Sequence, residues 1–246
     1  MALKRLFSLN VMLKSIIPRD IKTSLKLAVK TAGNFYKGHW FYFAKNKNRD
    51  ISYSKKIIIV QELKPNPAKV HNIKKAIQLI EPVHIMPNEI FSFCNIIGNT
   101  TASKGYVASR SLTGNSISES IGGGICQLSG LIYYISLIGN LEILERHNHS
   151  TDIYNDETRF TPLGSDATIV YGYKDLKIKN NTNGPINFKF HLDNEKITIR
   201  LNHNVAIVNN QVEFKTVNEN LETITINTII NEKQYDSSTY LKIKEK

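Results

Sequence analysis

The stretch 186–202, INFKFHLDNEKITIRLN, alternates apolar and polar residues on either side of Asp193-Asn194. Ile186, Phe188, Phe190 and Leu192 fall on one face, as do Ile197, Ile199 and Leu201. A period of two marks a half-buried strand, and Asp-Asn has turn chemistry, so two antiparallel strands are predicted. Toward the C-terminus, 212–217 and 223–230 alternate in the same way. Toward the N-terminus, 168–171 and 176–179 read as further strands, with 180–184 supplying a turn.

Upstream of residue 168 the period changes. Leu6, Leu9, Leu13, Ile16 and Ile17 share a helical face over 3–17. A second helix is predicted from Asp20, a good N-cap, to Gly33. It carries an apolar stripe (Ile21, Leu25, Ala28, Val29, Ala32) and a basic one (Lys22, Lys26, Lys30). An aromatic cluster at 40–43 and a basic turn at 45–49 follow. Residues 57–63 read as a strand, and Pro67 opens a helix bearing Val70, Ile73, Ala76, Ile77 and Ile80. A turn at 86–89, a strand at 90–93, a loop at 95–105 and a strand at 106–112 come next. The apolar run 127–138 predicts a central helix closed by Gly139-Asn140. A short strand at 141–144 and a loop at 151–164 complete the central region. Helices early and strands late give an α+β fold: amphipathic N-terminal helices, a central helix after a Gly-Gly-Gly-x-Cys turn, and a C-terminal antiparallel sheet.

The composition suits a packed core. Of 246 residues, 41% are hydrophobic and 22% charged, which excludes global disorder. The formal charge of +11 is unevenly spread: residues 1–56 hold 13 Lys+Arg against 2 Asp+Glu, and residues 57–246 are neutral. The expected organisation is a basic helical arm (1–56) and an α+β domain (57–246) ending in a β extension (203–246). A basic arm suits an anionic membrane surface or envelope polyanion. No nucleic-acid-binding motif is present, so no nucleic-acid partner is expected. No apolar run approaches the ~20 residues of a membrane span. The run from Leu6 is broken by Asn10, Lys14 and Pro18, which is poor signal-peptide material; a cytoplasmic or membrane-peripheral place is expected. With only Cys94 and Cys126, a disulfide-rich scaffold and CxxC zinc sites are excluded, and a single disulfide is the one pairing open.

The chemistry concentrates at 121–129, IGGGICQLS. Gly122, Gly123 and Gly124 deliver Cys126 to the first turn of the central helix. There the helix dipole and free N–H groups favour thiolate over thiol. Such a thiol is a candidate nucleophile, and it needs a base with an orienting partner. ERHNHS at 145–150 supplies His147 and His149; on a strand they would share a face, with Asn148 opposite. Asp166 is the next carboxylate able to hold a histidine tautomer. Arg146 has a planar fork suited to a substrate carboxylate, or to an ion pair with Glu142 or Glu145. Cys126, His147, His149 and Asp166 are also zinc-compatible types, but two histidines at i, i+2 and one distant thiol make a weak zinc pattern, and no metal or other cofactor is expected.

The motifs at 87–93 (PNEIFSF), 97–98, 105–106, 122–129 (GGGICQLS), 145–150 (ERHNHS), 164–172 (GSDATIVYG) and 175–186 (DLKIKNNTNGPI) together resemble the VanW family, over about 66–201. The resemblance implies a cell-wall context linked to glycopeptide resistance. It also implies an L,D-transpeptidase-like cysteine acyl transfer on peptidoglycan stem peptides or lipid-linked precursors. Cys126, His149 and Asp166 match the family's cysteine, second histidine and aspartate; His147 occupies the more variable histidine position. Gly122, Gly123, Gly124, Gln127, Ser129 and Arg146 are then the expected substrate-binding residues. The alternative is a non-catalytic envelope or membrane-surface binding module.

Overall fold

The structure is a computed structural model that describes residues 18–45, 50–64, 66–113, 116–152, 161–193 and 195–242. The expected helix at 3–17 and most of the basic turn at 45–49 lie outside these residues. The architecture is α+β. Strands β1 (Lys55–Glu62), β2 (His84–Ile85), β9 (Ile186–Leu192) and β10 (Lys196–His203) form one antiparallel sheet in the order β1-β10-β9-β2. Its register pairs Ile57 with Leu201, Ile59 with Ile199, and Leu201 with Phe188, so the apolar faces coincide. Slipping by one residue would turn all of them outward.

Helices α2 (Pro67–Ile80) and α4 (Cys126–Ile138) cover that sheet. Asn66 caps α2 by accepting from the Lys69 N–H at 2.9 Å, with Pro67 in the first turn. Helix α4 is apolar nearly all round, as a helix surrounded by protein must be, and Leu128, Leu131, Ile132 and Ile135 are buried. Its end lies against the sheet: a Cβ on Gly139 would come within 2.5 Å of Leu201 Cδ2. Burial of such side chains contributes about 1.5–3 kcal/mol each.

Strands β3 (Ile90–Ser92), β6 (Glu142–Glu145) and β8 (Lys177–Lys179) form a second sheet, ordered β3-β8-β6. Strands β4 (Ala108–Thr113) and β5 (Ser116–Ile121) form a hairpin leading into the glycine turn. The C-terminal meander β11 (Val212–Glu219), β12 (Thr223–Ile230), β13 (Lys233–Lys242) adds β7 (Thr151–Asp152) in parallel to its last strand, Thr151 opposite Leu241. The meander therefore returns to the segment that follows His149.

Several elements differ from expectation. Helix α1 (Arg19–Tyr36) has Pro18 rather than Asp20 at its N-cap and runs past Gly33, where a side chain would meet nothing within 4 Å; Gly38, at φ 72°, ends the run before a 3-10 turn, His39–Tyr42. A short helix α3 (Phe93–Ile97), capped by Ser92, replaces the start of the loop expected at 95–105. Residues 168–171 are not a strand; only Val170 bridges, to Lys174. The 146–149 segment is irregular, so the shared strand face expected for His147 and His149 does not form. Cys94 and Cys126 are both free thiols. Among the described residues no helix is long and apolar enough to cross a membrane.

Candidate functional site

Cys126 is the first residue of α4, delivered by the glycine turn. Gly122 and Gly124 adopt φ 80° and 91°, which side chains rarely allow, and a Cβ on Gly123 would collide with the Ser109 carbonyl. The Gly122 and Gly123 N–H groups are taken by Val107 O and Ser120 O, both at 3.0 Å. Asn72, fully buried on α2, fixes this arrangement by donating to the Val107 and Gly123 carbonyls at 2.9 and 3.0 Å. Gly124 at positive φ is followed by Ile125 in the αR region, immediately before α4 begins.

Three residues line up behind the thiol. The His149 ring and the Ile169 backbone are the groups that act on the Cys126 thiol to favour its ionised form. His149 Nδ1 lies 2.6 Å from Asp166 Oδ2, which leaves Nε2 for the sulfur. The same carboxylate oxygen accepts the His149 backbone N–H at 2.7 Å. Asp166 Oδ1 accepts from Tyr240 Oη at 2.6 Å and Arg146 Nη2 at 3.0 Å. The strap Thr168 N–H to His147 O, 2.7 Å, holds the two loops together, and Ser129 Oγ donates to Ala167 O at 2.6 Å.

The charges follow from these contacts. Burial opposes ionisation of Asp166, but its bond to His149 and the Arg146 charge hold the carboxyl down at about 2. Burial would also lower His149; its bonds to Asp166 and Cys126 instead push it up to about 10. For Cys126, burial pushes the thiol up, while the hydrogen bond and charge of His149 more than offset it, leaving the group below the ordinary thiol value. The same interaction thus lowers the thiol and raises the imidazole. Cys94 shows the opposite environment: burial and Asp175 push it far up, and its Sγ donates to Lys174 O at 3.4 Å.

The other expected site residues take different positions. His147 turns away to Glu145, Nε2 to Oε1 3.1 Å, and does not join the Cys126 pair. Arg146 has neither a free fork nor a bond to Glu142 or Glu145. It stacks on the Tyr133 ring, 4.9 Å from its centroid, and donates to the Gly164 and Asp166 carbonyls, Ser238 and Asp236. Its side chain is only 5% exposed and is taken up by these partners, the Asp166 carboxylate among them. Ser129 is fully buried, and the Gln127 amide ties α4 to β1 through Gln61 Oε1 and Glu62 O, both at 2.8 Å. Tyr240, Ser238 and the Ile169 N–H were not legible as site groups. They arrive through the register of β13 and the turn at Gly172, neither of which leaves a local sequence signal. Among the described residues no group of three or more His, Cys, Asp and Glu side chains is placed to hold a metal. Cys126, His149 and Asp166 bond to one another in series rather than converging on one point.

An α+β protein with a thiol, imidazole and carboxylate in series at a glycine-led helix start is thus defined by fold and site. The family described as "VanW like protein" matches residues 68–202, and the chain belongs to the VanW family. Over 121 residues it is 33% identical to "Uncharacterized protein YoaR" of Bacillus subtilis (strain 168), covering 49% of this chain and 38% of that protein. Over 129 residues it is 31% identical to "Vancomycin B-type resistance protein VanW" of Enterococcus faecalis (strain ATCC 700802 / V583), covering 52% of this chain and 47% of that protein. The matched segment spans less than half of each relative. No solved structure matches the chain significantly.

Proposed function

We propose that this protein is a cysteine acyltransferase of the L,D-transpeptidase type, acting on peptidoglycan stem peptides or lipid-linked precursors. The observation that carries the proposal is the Cys126–His149–Asp166 series with the thiol below, and the imidazole above, their ordinary values. The wall context rests on family membership and on the resistance named in the Enterococcus relative. The Cys126 thiolate attacks a stem-peptide carbonyl, forming a C–S bond. Backbone N–H groups at Gly124, Ile125 and Cys126 carry the oxyanion. His149 gives its proton to the departing amine as the C–N bond breaks and the terminal D-amino acid leaves. An amine of a second stem then attacks the thioester, returns a proton to His149 and releases the thiolate. Water in place of that amine gives carboxypeptidase chemistry. Incubation with a stem peptide ending in a D-amino acid, followed by acid quench and mass spectrometry, is expected to yield an acyl adduct on Cys126. An adduct of equal yield in Cys126→Ala, or none in the wild type with product still forming, overturns the proposal.

A second reading is favoured by one observation: the aromatic end of α1 and the turn after it face outward. Phe35, Tyr36, Trp40 and Phe41 are 60%, 93%, 47% and 70% exposed, while Lys30 reaches inward to Glu145 at 2.7 Å. An outward apolar and aromatic face on an arm carrying an excess of eleven positive charges fits an anionic lipid surface. Binding to phosphatidylglycerol vesicles is expected to weaken as salt rises from about 0.05 to 0.5 M. It is also expected to fall in the doubly substituted Trp40→Ser, Phe41→Ser protein. Binding unchanged in both comparisons ends that reading.

A further inference from the structure

Between α1 and the body lies a cavity of about 550 Å³, apart from the Cys126 pair but lined by the same 145–147 segment. Its charged lining is Lys26, Lys30, Lys37, Lys177 and a single carboxylate, Glu145, with His39 beside them. Glu145 is already shared: Lys30 and Lys177 approach its two oxygens at 2.7 and 2.9 Å, and together they hold it ionised at about 2 against the opposing effect of burial. Lys26 sits 3.4 Å from the Tyr173 ring centroid, and no carboxylate pairs with Lys37 among the described residues. Four ammonium groups against one carboxylate leave a strong cationic excess in a concave space. The His39 ring borders the same space. Leu25, Val29 and Leu144 form an apolar wall beside the charges.

We infer that this cavity binds a phosphate-type polyanion, with the apolar wall receiving what the phosphate is attached to. The lysines supply point charges to phosphate oxygens, and the planar ring of His39 donates a hydrogen bond. His39 reports occupancy. Burial, then Lys177, Lys37 and Lys179, lower its basicity, with Glu142 alone opposing them, so a bound dianion must raise it. The inference does not depend on thiol chemistry: Cys126→Ala must bind as the wild type does.

The probe is inorganic pyrophosphate, followed by calorimetry and by the His39 ring resonances. Saturable binding is expected, with the His39 resonances moving toward the protonated form. Lys37→Ala and Lys26→Ala, both at solvent-facing positions, should each weaken it about tenfold, one such charged contact being of that order. Lys215→Ala, remote on β11, should leave it unchanged. Absence of saturable binding, a static His39 signal, or equal weakening by the Lys215 substitution overturns the inference. Displacement of pyrophosphate by phosphatidylglycerol vesicles, and not by zwitterionic ones, identifies a lipid headgroup as the source. Pyrophosphate binding indifferent to both identifies a free phosphate compound.

Discussion

His149→Ala is expected to lower stem-peptide turnover by about 10⁴-fold, the usual scale when one member of a nucleophile–base–carboxylate unit is lost. The substitution acts twice. It removes the proton carrier, and it removes the charge that holds Cys126 below the ordinary thiol value. Cys126→Ala, Asp166→Asn and His149→Ala should therefore cost far less in combination than the sum of their separate effects. Thermal unfolding of His149→Ala should change only modestly, since its side chain is 24% exposed. Turnover within a few-fold of wild type would remove the histidine from the mechanism.

The second large effect is on stability. Arg146→Ala leaves buried Asp166 with His149 as its remaining ion-pair partner and strips donors from Ser238, Asp236 and the Gly164 carbonyl. Breaking a buried pair in this way costs about 3–5 kcal/mol. At about 2–4 °C per kcal/mol for a chain of this size, Tm should fall by on the order of 10 °C. The pH dependence has a definite sign. Asp166 is depressed from 3.8 to about 2, so its contribution is present above the unfolded value and is lost as pH falls from about 4 toward 2. His149 is raised from 6.5 to about 10, so its contribution is full below 6.5 and is lost as pH climbs through about 10. Arg146→Ala should move the acid limb of unfolding to higher pH. A Tm within 2 °C of wild type, read by calorimetry, would show that the network around Arg146 is idle.

Much of this arrangement was legible in the residues. The alternation through 186–202 and the glycine-led start of α4 are local patterns, and local patterns survive in isolation. His149 and Asp166 were readable because their spacing and the family motifs agree. What escaped was non-local. The 168–171 run has strand composition, yet only Val170 bridges, to Lys174, and Gly172 takes φ 79°. Tyr240 is an ordinary strand tyrosine until β13 pairs with β7 and aims its hydroxyl at Asp166. Arg146 looked like a substrate clamp because nothing in ERHNHS announces five partners more than 15 residues away. The outward aromatic end of α1 follows from a tertiary choice: Lys30 prefers Glu145 to water, and Lys26 prefers the Tyr173 ring.

The central proposal is that His149 lowers the Cys126 thiol enough for it to react as a thiolate at neutral pH. It is tested most directly by the pH dependence of Cys126 alkylation with iodoacetamide, followed by peptide mapping to separate Cys94. The account predicts fast Cys126 alkylation at pH 7, where an ordinary thiol of pKa about 8.5 is mostly protonated, with Cys94 unreactive. It predicts that His149→Ala returns Cys126 to ordinary thiol behaviour. A wild-type profile that rises only above pH 8 and overlays that of His149→Ala would contradict it.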